Sequence, residues 1–212
     1  MNMLKCMLTG EIGFGIGGAY WGFMIFNSPP QYFPFPFGYL KEAVILGAIG
    51  SMSLAFYSKD IKKIVRSALF GAIGFTIGFS IGYTIGYPLL MLSYIYLPLQ
   101  IFGDKEELFF LKPGLYIGHL ALDFVIVGAI GGFFYGLALK KNILSLTLHG
   151  AVGFGIGSLI GPIIGNLVEM ASGSLLAAYV TTFLIIGMIL GAFLGRSMYL
   201  AEKQTTNSKE ER

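Results

Sequence analysis

The sequence predicts an all-α integral membrane protein with six transmembrane helices. Three observations lead to this fold class: long apolar runs, basic residues concentrated on one side of them, and a glycine-rich pattern that occurs three times. The chain has 212 residues, of which 55% are hydrophobic and 12% are charged, about half the charged share of a typical soluble domain. Because membrane spans take up most of this length, we expect one six-helix domain over residues 1–203 and no soluble catalytic domain.

Each of the six apolar runs is long enough to cross a hydrocarbon core of about 30 Å as a helix. A transmembrane β-barrel would instead show short segments of alternating polarity. The polar segment 204–212 that follows the last run is predicted to be a disordered tail. The predicted spans cover residues 8–26, 40–58, 64–87, 115–139, 143–168 and 174–200.

The distribution of basic residues predicts the orientation of the chain. Of its 14 Lys and Arg residues, all but Lys41, Lys105 and Lys112 fall before span 1, between spans 2 and 3, between spans 4 and 5, or after span 6. Cytoplasmic loops carry an excess of basic residues, so we expect this side and both termini to be cytoplasmic. The short loops and the lack of a transit peptide favour a prokaryotic plasma membrane.

An internal repeat is visible at the start of the odd-numbered spans. Residues 10–17, 71–78 and 150–157 align without gaps, and each reads Gly-x-x-Gly-Phe-x-Ile-Gly. Such self-similarity is the signature of a duplicated structural unit. Each unit here contains two spans, so successive units enter the membrane in the same orientation. We therefore expect a bundle with pseudo-threefold symmetry about an axis along the membrane normal.

The even-numbered spans carry a second matching pattern. Residues 44–50 and 125–131 both read Val-Ile-x-Gly-Ala-Ile-Gly, and residues 184–190 match more loosely. The two patterns are 37 residues apart in the first and third repeats and 57 apart in the second. The second repeat thus carries an insertion, around 88–113, which we expect to lie along the outer surface after a helix break at Pro88. The predicted repeats cover about 1–58, 59–139 and 140–203.

Glycine at four-residue spacing forms a stripe along one face of most spans, because four residues is just over one helical turn. Such stripes let helix backbones approach closely in a membrane, where lipid offers no hydrophobic drive for association. They predict tight packing within the chain, and the alternative is packing against a second copy or another membrane subunit. The stripe residues are Gly74, Gly78, Gly82 and Gly86; Gly128, Gly132 and Gly136; Gly153, Gly157, Gly161 and Gly165; and Gly187, Gly191 and Gly195.

Several other classes of partner or cofactor are not expected. The net charge of +3 is too small to suggest a nucleic-acid partner. Residues 13–18 fit the dinucleotide pattern G-x-G-x-x-G, but that motif works only where a strand turns into a helix, whereas these residues lie within an apolar helix. Two histidines thirty residues apart, without companion cysteines, do not form a metal site by spacing. The sequence therefore predicts no cofactor and no enzymatic activity.

Charged residues inside a span are candidate functional groups, because each costs about 2.5–3.5 kcal/mol on insertion scales. Asp123 lies well inside span 4, and His119 is one turn earlier on the same face. Glu42 and Thr182 occupy the positions that match Asp123 in the other two repeats. If those faces converge on the axis, they form a ring of oxygen atoms suited to a cation. Glu11, near the start of span 1, is a further candidate without repeat partners.

Two function classes follow from these features. The internal symmetry and the intramembrane carboxylates favour a small transporter or channel for a solute or cation. The glycine stripes and the small size equally favour a non-catalytic membrane subunit or scaffold within a larger complex. An intramembrane enzyme is the weakest reading, since no nucleophile lies at helical spacing from a base.

Overall fold

The protein is all-helical. The computed structural model describes residues 2–27, 40–56, 60–101, 112–140 and 142–210. The surroundings of side chains are described throughout these ranges except at residues 83, 86–101, 112–121 and 204–210. The described helices are α1 (Met3–Asn27), α2 (Leu40–Ala55), α3 (Ile61–Ile101), α4 (Lys112–Leu139), α5 (Ile143–Ser172) and α6 (Leu175–Glu210).

Within the described ranges, four helices are long and apolar enough to cross a membrane, which indicates an integral membrane protein. Their apolar stretches are Ile61–Gly82, Leu122–Leu139, Ile143–Ser172 and Leu175–Lys203. Helix α2 has 16 residues, or about 24 Å, which is shorter than a typical hydrocarbon core. Helix α1 contains glycine and polar side chains, which lower its mean hydropathy. Crossing by α1 and α2, the triplication and the side on which the termini lie therefore stay predictions.

Two helices are longer than the sequence pattern predicted. Helix α3 continues through Pro88 to Ile101, over part of the segment for which we expected a surface location outside any span. Helix α6 extends to Glu210 and so includes most of the segment predicted to be disordered. Extending an existing helix is easier than nucleating a new one, and α5 likewise continues through Pro162. The loop around 28–39 and residues 102–111 lie outside the described residues.

Polar caps define where the odd-numbered helices begin. Backbone N–H groups of the first turns donate to the side chains of Asn2 in α1, Asp60 in α3 and Asn142 in α5. These Asn and Asp side chains satisfy donors that have no partner within the helix. Helix α5 ends at Gly173, whose φ of 66° is left-handed and thus suits glycine. Short connections of this kind keep the two helices of a hairpin adjacent.

The helices form a closed ring. Each packs against the next one in the chain, and α6 returns to pack against α1. The contact between α1 and α6 brings backbones together: a methyl group built on Gly10 would overlap the carbonyl oxygen of Gly191, and one built on Gly191 would overlap that of Gly10. Because backbone cannot move aside as a side chain can, these positions require glycine.

Equivalent positions of the three aligned hairpins make equivalent contacts. Within each hairpin, one glycine of the odd helix packs directly on the even helix at a distance of about van der Waals contact or less. A methyl group on these glycines would lie 3.0, 3.0 and 2.9 Å from the nearest backbone atom of the partner. The pairs are Gly17–Leu46, Gly78–Val127 and Gly157–Ile186.

The contacts between hairpins follow one register twice and a shifted register once. Gly47 packs on Gly71, and Gly128 packs on Gly150. The aligned residue of the third hairpin, Gly187, instead packs on the backbone of α1 one turn further along, and Gly191 takes its place opposite Gly10. The closing contact of the ring is therefore offset by about one helical turn.

Aromatic rings fill the middle of the ring of helices. Phe14, Phe75 and Phe154 hold matching positions in the three aligned segments, and all are 0% exposed. Ring centroids lie 5.5 Å apart for Phe14 and Phe75 and 6.0 Å apart for Phe75 and Phe154. Two ends of the bundle lie on either side of these rings, and we name them by a buried residue in each: the Trp21 end and the Cys6 end.

Candidate polar site at the Trp21 end

Glu42 is a carboxylate buried at the Trp21 end. It is the third residue of α2, where the helix dipole favours negative charge, and it is 3% exposed. Its Oε1 atom lies 3.6 Å from Nζ of Lys41, whose side chain is 61% exposed. Its Oε2 atom is buried and has no hydrogen-bond partner among the described residues. One oxygen atom of this buried carboxylate thus has an ammonium partner, and the other has no described partner.

Asp123 is the second carboxylate at this end. It lies in α4 within the apolar stretch Leu122–Leu139, and its Oδ1 atom is buried without a described hydrogen-bond partner. A methyl group on Gly82 would lie 3.0 Å from the backbone carbonyl oxygen of Asp123. This contact places Asp123 one turn beyond the packing point of Gly78 on Val127, closer to the end of the bundle.

Trp21 is the functional candidate that the sequence pattern did not reveal. Its side chain is 5% exposed, and its indole Nε1 has no described partner. The ring packs against Phe79, Phe124 and Phe183 on three other helices, with centroid distances of 4.6, 5.8 and 4.5 Å. The signal lay in the alignment, because the single Trp of the chain stands where the other repeats have glycine, at 82 and 161.

The register of the helices places these three residues in one layer. Gly17 packs on Leu46; Trp21 lies one turn after that point on α1, and Glu42 one turn before it on the antiparallel helix α2. Asp123 lies at the same level, because Gly82, one turn after Gly78, packs on its backbone carbonyl oxygen. We call Trp21, Glu42 and Asp123 the polar layer. It holds the indole N–H of Trp21, Oε2 of Glu42 and Oδ1 of Asp123, and none of these three atoms has a described hydrogen-bond partner.

Thr182 lies at the same level of the bundle, because a methyl group on Gly161 would lie 2.6 Å from its backbone carbonyl oxygen. Its Oγ1 atom, however, faces α5 at Gly165, where an added methyl group would overlap it. The next residue, Phe183, contacts Trp21, as Phe124 does after Asp123. Successive helical residues are about 100° apart, so at both positions an aromatic ring faces the axis where we expected an oxygen atom.

The remaining candidates lie elsewhere or outside the described part of the chain. The side chain of His119 and the surroundings of Gly86 are outside the described residues. Glu11 is partly exposed on α1, ten residues or about 15 Å along the helix from Trp21. Among the described residues, no group of three or more His, Cys, Asp or Glu side chains is arranged to hold a metal ion.

The chemistry of the polar layer favours a positively charged ligand. Carboxylate oxygen atoms only accept hydrogen bonds when ionised, and the indole N–H only donates. An apolar surrounding strengthens any interaction with an opposite charge. Comparisons of this chain with protein-family models, with curated proteins and with solved structures find no match.

Proposed function

We propose that this protein is a small membrane transporter for a cation or a positively charged solute, which binds at the polar layer. The observation that supports it most is the carboxylate of Glu42, which is 3% exposed and leaves Oε2 without a described partner. Desolvating an unpaired carboxylate costs several kcal/mol in a protein interior. A bound cation would offset that cost, and Asp123 supplies a second carboxylate for it.

The aromatic rings on the axis favour a carrier over an open channel. Phe14, Phe75 and Phe154 close the middle of the bundle, and Trp21 with its three neighbouring rings closes the space above them. Transport would require these rings to move, as in alternating access, where a site opens to one side at a time. The described arrangement corresponds to a closed state of such a carrier.

A non-catalytic subunit of a larger membrane complex is the second candidate, and the packing of the ring favours it. The backbones of α1 and α6 touch at Gly10 and Gly191, which makes this contact hard to deform. A rigid ring with a filled axis suits a scaffold. Purification from native membranes in mild detergent separates the two candidates, because a partner in fixed ratio supports the subunit function.

Flux through purified protein in liposomes tests the transporter function. The probes are radioactive Na⁺, Rb⁺ and choline, which are charged throughout the working pH range; choline is an organic cation that also carries a hydroxyl oxygen. We expect uptake of at least one probe, with a loss of tenfold or more in Glu42→Gln and in Asp123→Asn. Glu169→Gln is the matched control, since Glu169 is a partly exposed carboxylate near the same end of the bundle, and it should retain uptake.

Two results would overturn the proposal. One is the absence of uptake of all three probes by the natural protein that is shown to be folded. The other is uptake that persists unchanged in both Glu42→Gln and Asp123→Asn. In either case the buried carboxylates have a structural role, and the subunit function becomes the better account.

A further inference from the structure

We propose that the ligand of the polar layer is a small organic cation that also carries a hydrogen-bond acceptor, held between the carboxylate of Glu42 and the indole N–H of Trp21. This inference rests on the proposed function and deepens it by naming the ligand class. It distinguishes an ammonium compound with an ether, hydroxyl or carbonyl oxygen from a bare metal cation.

The indole N–H of Trp21 is a buried donor without a described acceptor. An indole N–H can only donate, and a buried Trp usually finds an acceptor for it. Trp21 is 5% exposed, and its Nε1 has none among the described residues. Phe79 and Phe183 pack against its ring at 4.6 and 4.5 Å, so the ring is held in place. A ligand acceptor would satisfy a donor that the protein leaves unpaired.

The polar layer as a whole offers both acceptors and a donor to a ligand. A metal cation is bound by oxygen atoms, so it could use Glu42 and Asp123 but would leave the N–H of Trp21 unpaired. An organic cation that carries an acceptor atom near its ammonium group can use both kinds of partner. The aromatic rings around Trp21 add a surface that attracts such cations.

The carboxylate of Glu42 already has one ammonium group beside it, that of Lys41. Nζ of Lys41 lies 3.6 Å from Oε1 of Glu42. The Lys41 side chain is 61% exposed, whereas that of Glu42 is buried. A ligand ammonium that displaces the Lys41 ammonium therefore leaves it in water, where it needs no protein partner. The contact shows that Glu42 is accessible to an ammonium group on one side while Oε2 stays unpaired on the other.

The test uses two probes of equal size that differ in one atom. In 2-methoxyethylammonium an ether oxygen, which only accepts, replaces the third methylene of n-butylammonium. Their affinities for the detergent-purified full chain are measured by isothermal titration calorimetry. We expect the methoxy compound to bind about tenfold more tightly, the factor expected for one hydrogen bond to a buried donor.

Three variants assign the atoms. Trp21→Phe should abolish the preference for the methoxy compound, because it removes the N–H and keeps a ring. Phe183→Leu is the matched control: it disturbs the same packing, keeps the indole, and should retain the preference. Glu42→Gln should weaken both probes equally, by tenfold or more, since it removes the charge that both ammonium groups share.

The outcomes separate the two proposals. Equal affinity for both probes in the natural protein, or a preference that persists in Trp21→Phe, overturns the role of the indole. Binding of Na⁺ or Rb⁺ without either organic probe overturns the ligand class and leaves the transporter function standing. If no probe binds and liposome uptake is also absent, both proposals fail together.

Discussion

The two ends of the bundle differ in how they treat buried polar groups. At the Cys6 end, the hydroxyl of Tyr135 donates to the sulfur of Met198 at 3.3 Å, and the hydroxyls of Ser145 and Ser197 lie 2.8 Å apart. At the Trp21 end, one carboxylate oxygen of Glu42, one of Asp123 and the indole N–H of Trp21 have no described hydrogen-bond partner. Unpartnered charge is expensive, so it persists where a ligand or a function accounts for it.

Matched positions make the comparison sharper. At the Cys6 end the axial positions are all 0% exposed and hold mainly apolar or sulfur-containing side chains. Two hydroxyls there, of Ser51 and Ser67, are unpartnered, but a neutral hydroxyl costs much less to bury than a carboxylate. The axial residues at this end are Cys6, Ser67 and Leu146 on the odd helices and Leu54, Tyr135 and Leu194 on the even ones. The buried side chains of the Cys6 end are those expected of a packed scaffold, whereas those of the Trp21 end are those expected of a binding site.

The largest effect is expected from the backbone contact that closes the ring. Gly191→Ala should destabilise the protein by about 3 kcal/mol, the upper part of the range for overpacking, because its new methyl group would meet the carbonyl of Gly10. Gly15→Ala is the matched control on α1. Its methyl group would meet the flexible side chain of Met188 at 2.9 Å, so we expect a loss of about 1 kcal/mol.

The measurement is the midpoint of thermal unfolding in one mild detergent, followed by helix content. Equal shifts for Gly191→Ala and Gly15→Ala would mean that α1 and α6 separate easily. The ring of helices would then not be rigid, and a difference in role between its two ends could not be inferred from their packing.

Much of the fold could be predicted because apolar length and glycine spacing are local features of the sequence. The helices begin within a few residues of the predicted starts. The aligned glycines Gly17, Gly78 and Gly157 make the same kind of contact in each hairpin. The ends of α3 and α6 were predicted less well, because composition and proline mark where a helix is weak, and a helix already formed can continue past such a point.

The candidate site could be predicted only in part. Glu42 and Asp123 were found because charge inside an apolar run is conspicuous in any sequence. Thr182 was predicted from the alignment alone. Its hydroxyl faces α5 and not the axis, where the ring of the next residue, Phe183, lies. Trp21 was missed because a Trp in an apolar helix looks ordinary; only its packing against three other helices shows that its N–H is buried and unpaired.

A change of opposite sign is expected at the Trp21 end. Glu42→Gln should raise the free energy of unfolding by about 1 kcal/mol, because it removes a buried charge whose described partner, Lys41, is largely exposed, and it keeps the shape of the side chain. Ser51→Ala, which removes an unpartnered neutral hydroxyl at the Cys6 end, should change it by less than about 0.5 kcal/mol. Thermal unfolding without added ligand measures both.

Stabilisation by Glu42→Gln together with loss of uptake is the pattern of a functional residue that is kept at the expense of stability. A destabilised Glu42→Gln protein would show instead that the carboxylate holds the fold, through Lys41 or the start of α2. The two ends would then differ in composition and not in role.

The smallest effect is expected from a hydrogen-bonded hydroxyl at the Cys6 end. Tyr135→Phe removes the hydroxyl that donates to Met198 and keeps the ring. Sulfur is a weak acceptor, so the loss should be about 0.5 kcal/mol, with uptake unchanged. A loss above about 2 kcal/mol, or reduced uptake, would mean that this hydroxyl belongs to a polar network of its own. Residues at both ends of the bundle would then contribute to function, and we would expect a transport pathway past the aromatic rings in another conformation.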